Sequence, residues 1–555
     1  MKWFLGSSIV FMVSLCSPLR AQWSTTPGTP LRLTNDTHPK IGPLMTEDGQ
    51  GGSYVVWIDD GPLNQIMGQH LDADGYELWN AGGIALESGS NIYFELAPTI
   101  ACLPGGDLLL CWTYTFDSVN LFLLMQRFAP DGTAVWSQPA EVGGFGGIYV
   151  DARFMSFMVN GPHIFVAYDC WTGQTVDLRL SRVEFDGTVS WGYNGILVED
   201  STSLGFQVLP LMSDGGDGGY YIWPTNVQVP VPGQLIAAQR FRADGTFVWQ
   251  EPVIVNDDPP VDIANNWLSL APLGASDVAV AWKPGYSGPV KITRLDSTGA
   301  HPWPVAIDTV FATSPDGRYL QIFSEGEEVV ISWVDYVAPY TTPQFFAQRY
   351  DAAGNELWPS NGLGIMTGGD HYPWHMSSLW APGKTLIFTG SGGDGYAVQR
   401  IANDGTLELA TPLILIDTAF TSLAYAQSMS RVRSGNALIG AVNFYRHDAG
   451  RDIAVYRVAD TDFPTDIQAA SRSVDPTVYP VPADHWCTVH WNDGPPAGPL
   501  AVFLYDASGR RFPAQVVRDA TADLVVALTS LASGPYLLEL LGNERTWRSR
   551  LVVEH

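Results

Sequence analysis

The sequence predicts an all-β protein, with an eight-bladed β-propeller closed by its N-terminal strand and a small β-sandwich at the C-terminus. Three observations favour this fold. A phrase ending in Gly-x-x-x-Trp recurs along most of the chain, and each copy follows short runs of β-branched and aromatic residues. Gly and Pro are frequent, at 56 and 39 residues, which favours many turns. No stretch shows the sustained 3.6-residue hydrophobic period of a helix.

Eight repeat units are marked by a Gln-Arg pair or a variant of it. The pairs are Gln69-His70, Gln126-Arg127, Ser181-Arg182, Gln239-Arg240, Thr293-Arg294, Gln348-Arg349, Gln399-Arg400 and Tyr456-Arg457. In six units a Gly and then a Trp follow the pair: Gly75 and Trp79, Gly132 and Trp136, Gly187 and Trp191, Gly245 and Trp249, Gly299 and Trp303, and Gly354 and Trp358. The seventh unit has Gly405 followed by Leu409, and the eighth unit lacks the phrase.

Each unit offers four short strands. One is an apolar run upstream of the pair, such as SYVVW (53–57) or EVVISW (328–333); the pair lies in the next, and the Trp opens another. A further run near the unit boundary, such as FELAPTIA (94–101), makes the fourth. Four-stranded antiparallel units repeated radially form a β-propeller; an open β-solenoid is the alternative, but its repeats are usually shorter.

The N-terminal segment favours a closed ring. Residues 22–36, QWSTTPGTPLRLTND, copy the end of a unit, so Trp23 is expected to be the Trp that the eighth unit lacks. The first segment would then complete the last blade. We predict that each Trp docks against the neighbouring blade, since a contact between units needs one such residue per unit. The alternative is a Trp packed inside its own blade.

The first 21 residues have the pattern of a secretory signal peptide. Lys2 precedes a short apolar run from Phe4 to Leu15, and cleavage is expected after Ala21. Cys16 suggests a lipoprotein signal as an alternative, although Leu15 before it fits that signal poorly. The remaining cysteines, Cys102, Cys111, Cys170 and Cys487, are too few for a disulfide framework, and unpaired buried thiols are expected. A bond between Cys102 and Cys111, which flank a PGGD turn, is the alternative.

The charge excludes one class of partner. Lys and Arg number 29 against 57 Asp and Glu, a net charge of −28, which repels phosphate backbones and argues against nucleic-acid binding. No segment beyond the signal peptide is long and apolar enough for a transmembrane helix. The mature protein is expected to be exported and monomeric.

The tail has a pattern of its own. Residues 22–460 hold the repeats, and polar residues 461–477 read as a linker. In residues 478–555, short apolar runs at 486–491, 500–505, 523–529, 535–541 and 547–553 alternate with turn residues and predict a small β-sandwich.

This tail resembles the C-terminal (type A) sorting domain of type IX secretion cargo. The matching motif residues are Tyr479, Pro480, Pro482, Tyr505, Asp506, Gly509, Gly534 and Tyr536, with a closing Arg550-Leu551-Val552-Val553. The family's usual Asn between the two prolines is Val481 here. The resemblance implies type IX machinery as a partner and a location that is secreted, extracellular or on the outer cell surface. The alternative is an ordinary accessory β-domain.

The repeat phrase, as in YDAAGNELW (350–358), resembles the tryptophan-docking repeat of eight-bladed quinoprotein-like propellers. That family's adjacent Cys-Cys pair and a calcium-ligand cluster are missing from the sequence. The resemblance therefore implies an architecture without redox activity, and no cofactor is expected.

The sequence predicts no catalytic residue and no metal site. GSGGDG (390–395) runs from one strand into another, so it is read as a hairpin loop and not as a dinucleotide site. His371 and His375 have helical ligand spacing, but Pro373 between them argues against a helix. SDGGDGGY (213–220) is the remaining candidate for a calcium loop.

The loops after the first long apolar strand of each unit are the candidate binding surface. They occupy the same place in every unit, so they are expected to project from one end of the ring. Their aromatic residues, the candidate ligand-binding set, are Tyr114, Phe116, Trp171, Tyr336, Tyr340 and Tyr445. They offer stacking faces for a glycan or anchors for a peptide, and local packing is the alternative.

A secreted or cell-surface binding module for a glycan or protein is therefore the predicted function. The alternatives are an extracellular glycan hydrolase or lyase with its site at the centre of the propeller, and a quinoprotein-like oxidoreductase.

Overall fold

The structure is a computed structural model. It describes residues 23, 30–34, 38–62, 64–89, 98–115, 120–146, 156–171, 176–201, 211–227, 233–256, 268–284, 288–311, 318–336, 343–367, 376–381, 384–391, 395–409, 412–416, 429–434, 437–445, 451–459, 477–479, 485–490, 501–506, 511–513, 515–518, 524–529, 531–541 and 546–553. Within these ranges the regular elements are β-strands, and no helix has the length and apolar character needed to span a membrane.

The chain divides into two compact units, Met1–Thr465 and Asp466–His555. The described part of the first unit contains eight four-stranded antiparallel sheets. It begins with β1 (Leu31–Arg32), and seven sheets of four consecutive strands follow.

Sheets 1 to 4 cover the first half of this unit. Sheet 1 is β2 (Lys40–Glu47), β3 (Ser53–Asp59), β4 (Gln65–Leu71) and β5 (Ile84–Ser88); sheet 2 is β6 (Thr99–Cys102), β7 (Leu108–Thr115), β8 (Asn120–Phe128) and β9 (Ala140–Gly146). Sheet 3 is β10 (Ser156–Asn160), β11 (His163–Trp171), β12 (Val176–Glu184) and β13 (Ile196–Ser201); sheet 4 is β14 (Leu211–Asp214), β15 (Gly219–Val227), β16 (Gly233–Phe241) and β17 (Val253–Ile254).

Sheets 5 to 7 repeat the pattern. Sheet 5 is β18 (Leu268–Leu273), β19 (Asp277–Trp282), β20 (Val290–Leu295) and β21 (Asp308–Phe311); sheet 6 is β22 (Arg318–Glu325), β23 (Glu328–Tyr336), β24 (Pro343–Tyr350) and β25 (Leu363–Thr367). Sheet 7 is β26 (Met376–Ala381), β27 (Lys384–Ser391), β28 (Gly395–Ala402) and β29 (Leu413–Ile416). The β27 and β28 strands pair as a hairpin, as predicted for GSGGDG.

Sheet 8 joins the two ends of the unit. It contains β30 (Met429–Ser434), β31 (Ala437–Tyr445), β32 (Arg451–Ala459) and, as its fourth strand, β1. Leu31 pairs with Val455 and Arg32 with Ala454, and the Arg32 guanidinium forms an ion pair with the fully buried Asp452. The segment upstream of sheet 1 therefore supplies the outer strand of the last sheet, as the sequence predicted.

Neighbouring sheets contact each other through their first strands. The contacts run from β30 of sheet 8 to β2 of sheet 1, and on through β6, β10, β14, β18 and β22 to β26. All seven residues of the second strand of sheet 1, β3, are buried, so this strand is covered on both faces. This burial explains why SYVVW reads as a continuous apolar run without polar alternation.

The Trp contact joins one sheet to the next. In sheet 2, Trp136 is 7% exposed, and its indole Nε1 donates to the Phe185 carbonyl in a turn of sheet 3, at 3.0 Å. In that turn Gly187 has φ +90°, and a Cβ there would lie 3.0 Å from Trp136 Cδ2. The repeat needs Gly at this position because the indole lies against the turn and the backbone is left-handed.

Six further pairs have the same arrangement: Trp23 on Gly75, Trp79 on Gly132, Trp191 on Gly245, Trp249 on Gly299, Trp303 on Gly354, and Trp358 on Gly405. Trp23 also donates its indole N–H to the Ala73 carbonyl at 2.9 Å. Docking between neighbouring sheets, the preferred interpretation of the repeat, is confirmed at these positions, and Trp23 takes the predicted role.

The Gln-Arg pair fixes the docked Trp. Gln126 Oε1 accepts from the Trp136 backbone N–H at 3.3 Å, and Gln126 Nε2 donates to the Trp136 carbonyl at 3.2 Å. The Arg127 guanidinium donates to the same Phe185 carbonyl as the indole, at 2.8 Å. In sheet 7, Leu409 makes the same two backbone bonds with Gln399, so the missing Trp leaves this part of the repeat unchanged.

The turn that receives the Trp is shaped by an Asp. Asp131 Oδ1 accepts from the Thr133 hydroxyl at 2.7 Å and from the Thr133 backbone N–H at 2.9 Å, and these bonds lower the pKa of Asp131. Hydrogen bonds within the equivalent turns lower the pKa of five further carboxyls, at Asp186, Asp244, Asp296, Asp351 and Asp404, at Asp296 against the opposing effect of burial.

We expect these turns to make the first unit acid-sensitive. Because each folded pKa lies below the unfolded value near 4, their contribution is fully present above about pH 4 and is lost as the pH falls through the folded values. Thermal unfolding between pH 2.5 and 7 should show a midpoint that falls in acid. Asn at all six positions keeps a turn-forming residue and should flatten that slope. An unchanged slope would contradict this assignment.

The second unit is a β-sandwich. One sheet has the order β33 (Thr477–Tyr479), β34 (Trp486–His490), β38 (Leu524–Ala527), β37 (Gln515–Arg518). The other has the order β36 (Arg511–Pro513), β35 (Ala501–Asp506), β39 (Gly534–Leu541), β40 (Thr546–Val553). Val489, Leu504, Val526, Leu538 and Leu551 are part of the core between them. The predicted strands are present, while β33, β36 and β37, short strands at the sheet edges, were not predicted.

Candidate functional site

The candidate aromatic residues lie at one end of the sheets. The second strands of the sheets run in the same direction, so their connections to the third strands leave from the same end. Trp171, Tyr336 and Tyr445 are the last residues of β11, β23 and β31, and Tyr114 precedes the last residue of β7. Phe116 and Tyr340, like the side chains of Trp171, Tyr336 and Tyr445, lie outside the described residues.

Tyr114 is the candidate whose side chain is described. It is half-buried and packs against an apolar cluster between sheets 1 and 2 that includes Ile66 and Trp112. Its side chain therefore contacts the core, as the local-packing alternative predicts, while the residue as a whole is partly exposed.

A polar cluster that the sequence analysis did not identify lies at the same end of sheet 1. Lys40 opens β2 and pairs in register with Asp59, which closes β3. Lys40 is 1% exposed and Asp59 8% exposed. The Lys40 Nζ lies 3.2 Å from Asp59 Oδ2 and donates to the His38 carbonyl at 3.1 Å. The sequence contains one signal that could have predicted this cluster: two opposite charges at the ends of neighbouring strands that pair with each other.

His38 completes the cluster. Its Nδ1 lies 3.4 Å from Asp59 Oδ1, and its side chain is 45% exposed. Gly61 lies beside both groups, because a Cβ at this position would be 2.6 Å from His38 Nδ1 and 3.0 Å from Asp59 Oδ1. The Asp60 backbone N–H donates to the Pro39 carbonyl at 3.0 Å and holds the β3–β4 connection against the segment that carries His38.

The cluster combines a buried ion pair with an accessible imidazole. The Lys40 ammonium and the Asp59 carboxylate compensate each other, as burial requires. The Asp59 Oδ1 next to His38 Nδ1 is buried and makes no hydrogen bond with the residues that the structure describes. An accessible imidazole both exchanges hydrogen bonds with hydroxyl groups and transfers protons. Asp59 pairs with Gln65, the neighbour of Ile66 in β4, so the cluster and Tyr114 lie at the same end of adjacent sheets.

The calcium candidate has a different role. The Asn160 Nδ2 of sheet 3 donates to Asp214 Oδ1 at 2.8 Å, to the Gly216 carbonyl at 2.9 Å and to the Gly218 carbonyl at 2.7 Å. The oxygens of this loop thus bind an amide of the neighbouring sheet. In the ranges that the structure describes, no group of three or more His, Cys, Asp or Glu could hold a metal ion. His371 and His375 lie outside those ranges.

The four cysteines that the structure describes are thiols and form no disulfide, as expected; Cys111, Cys170 and Cys487 are buried and Cys102 is half-buried. Burial raises the pKa of Cys102, Cys170 and Cys487 to about 11 in each case, and it also raises the pKa of the fully buried Cys111. These thiols are protonated at neutral pH, so they are poor nucleophiles.

Comparison with protein-family models identifies the second unit. Residues 477–554 match the secretion system C-terminal sorting domain. Of the predicted motif residues, Tyr479 lies in β33, Tyr505 and Asp506 close β35, and Gly534 and Tyr536 lie in β39. Pro480, Pro482 and Gly509 are outside the described residues. The chain is therefore a secreted or surface-attached protein with a type IX sorting tail.

No curated protein matches the chain in sequence. Among solved structures, similarity is found to polysaccharide lyase Uly1, with 9% identity, a TM-score of 0.38, and coverage of 65% of this chain and 89% of the other. Drosophila Semaphorin 2a has 8% identity and a TM-score of 0.37 over 96% and 98% of the two chains. The Penicillium chrysogenum alpha-L-arabinanase complexed with arabinobiose has 12% identity and a TM-score of 0.32 over 56% and 94%. These scores are too low to transfer a function.

Proposed function

We propose that this secreted chain is a binding module for a glycan or protein ligand, built on a closed eight-bladed propeller and exported through its sorting tail. The single observation that carries the proposal is the shared position of aromatic residues at the ends of second strands. Five of the eight sheets, numbers 2, 3, 5, 6 and 8, have an aromatic residue at the last or next-to-last position of the second strand; the one in sheet 5, Trp282, is fully buried, so the proposal uses the other four.

The scaffold supports this arrangement. The second strands are fixed on both sides by neighbouring strands, and the Trp contacts hold successive sheets together. A rigid framework that presents varied loops from one end is a common basis for recognition. Aromatic side chains there contribute large contact areas at a low cost in conformational entropy.

We expect Trp171→Ala and Tyr336→Ala each to weaken ligand binding by tenfold or more, because anchoring aromatics commonly contribute above 1 kcal/mol. A glycan and peptide array with the full mature chain identifies a ligand, and titration calorimetry measures the affinities. Tyr193→Ala is the matched control, since Tyr193 is 55% exposed but lies in the connection between third and fourth strands. Unchanged affinity in both test variants would reject the aromatic surface.

One observation favours a second function, an extracellular glycan hydrolase or lyase. The accessible imidazole of His38 lies 3.4 Å from Asp59 Oδ1, beside the first strand of sheet 1, which contacts the first strands of two neighbouring sheets. An imidazole near a carboxylate is a common general base. Release of oligosaccharide products by the mature chain, lost in His38→Ala, would favour this function over binding alone.

A further inference from the structure

We infer that His38, Lys40 and Asp59 form the polar half of the binding site and that its ligand is a neutral glycan. This inference rests on the proposed binding function and deepens it by naming the class of ligand. It is carried by three features of the cluster: its compensated charge, its accessible imidazole, and its position at the same end as Tyr114.

The charge of the cluster argues against an anionic ligand. Lys40 is the ammonium of the cluster, but it is 1% exposed and bonded to Asp59 and to the His38 carbonyl. It therefore presents no accessible ammonium to a uronate or sulfate group. The whole chain carries a net charge of −28, which repels polyanions at longer range.

The same compensation argues against a basic peptide as the ligand. The Asp59 carboxylate lies between Lys40 Nζ at 3.2 Å and His38 Nδ1 at 3.4 Å, and it is 8% exposed. A Lys or Arg of a ligand would have to displace the buried Lys40 from the carboxylate, which costs free energy, or move His38 aside to reach a buried oxygen.

The accessible group of the cluster is suited to hydrogen bonding with the hydroxyl groups of a ligand. The His38 imidazole is 45% exposed and can donate or accept a hydrogen bond, as a sugar hydroxyl can. Tyr114, at the same end of the adjacent sheet, offers part of an apolar ring to the C–H face of a sugar. A neutral sugar has both kinds of surface.

Gly61 is a positioning residue for His38. A Cβ at residue 61 would lie 2.6 Å from His38 Nδ1, closer than real Cβ contacts, so an Ala there must move the imidazole away from Asp59. The variant Gly61→Ala therefore changes the place of the ring without removing it. A change in affinity in this variant would show that the position of the imidazole matters for binding. Removing the ring in His38→Ala cannot show this.

The chain offers a matched control at the opposite end of the sheets. His163 opens β11, and its Nδ1 lies 2.8 Å from Glu184 Oε2, with a side chain that is 23% exposed. It is also an imidazole beside a carboxylate, but it lies where the second strand begins. Loss of His163 should leave ligand binding unchanged.

The experiment compares neutral oligosaccharides, uronate-containing oligosaccharides and basic peptides on the full mature chain. We expect binding to neutral oligosaccharides, weakened at least tenfold in His38→Ala and in Gly61→Ala and unchanged in His163→Ala. Thermal unfolding checks that the variants are folded, and His38→Ala, at a half-exposed position, remains decisive where Gly61→Ala is unstable.

Each contrary outcome has a separate meaning. Preference for uronates or peptides, or neutral binding that His38→Ala leaves unchanged, overturns this inference and leaves the proposed binding function in place. Binding to none of the three classes overturns this inference, and the absence of any ligand on the glycan and peptide array overturns the proposed function as well.

Discussion

Replacing Trp136 with Ala should lower the free energy of unfolding of the first unit by about 3–5 kcal/mol. The side chain is 7% exposed, and its removal leaves a cavity between sheets 2 and 3. The hydrogen bond that the indole donates to the Phe185 carbonyl is also lost. Urea unfolding followed by far-ultraviolet circular dichroism measures the loss. Trp486→Ala is the control, because Trp486 is 50% exposed in the sorting domain and its loss should leave the first unit unchanged.

The contact with Gly187 makes this prediction more specific. Gly187→Ala alone should cost about 1–3 kcal/mol, because it places a side chain at φ +90° and against the indole. With Trp136 already removed, the steric part of that cost disappears, so the double variant should be more stable than the sum of the single effects predicts. Strict additivity would show that the indole and the turn do not interact.

Replacing Asp59 with Ala is expected to destabilise the first unit by about 3–5 kcal/mol, since it removes the carboxylate that compensates a buried ammonium. Lys40 is 1% exposed and lies 3.2 Å from that carboxylate. The double variant Lys40→Met, Asp59→Leu removes both charges and should recover most of the stability. Urea unfolding of the three chains gives the comparison.

Asp60→Ala is the control for this pair, because Asp60 is the adjacent acidic residue and is exposed. Its effect should stay within about 0.5 kcal/mol. If Asp59→Ala behaves like Asp60→Ala, the ion pair does not stabilise the fold.

The repeat allowed much of the fold to be predicted, because the residues that dock one sheet on the next lie in a phrase of about ten positions. Gly187 and Trp191 appear together in the sequence, although each contacts a different neighbouring sheet. The purpose of Gln126 was not predictable, since its bonds to the Trp136 backbone depend on how the intervening hairpin closes.

Less of the candidate site could be predicted from the sequence. The aromatic residues were found because they occupy equivalent places in the repeat, and their strand-end positions follow from it. The cluster of His38, Lys40 and Asp59 does not belong to the phrase that recurs along the chain, so the repeat did not reveal it. Its members meet because β2 and β3 pair in antiparallel register, which brings Lys40 opposite Asp59.

The sequence alone therefore determined the strand content, the repeat, the Trp that joins the sheets and the sorting tail. Each of these features depends on residues that are close together in the chain. Only the tertiary structure decided which charges are buried together and which imidazole stays accessible. Burial and hydrogen bonding depend on groups from separate strands, and strand pairing sets the distances at which those groups compensate each other.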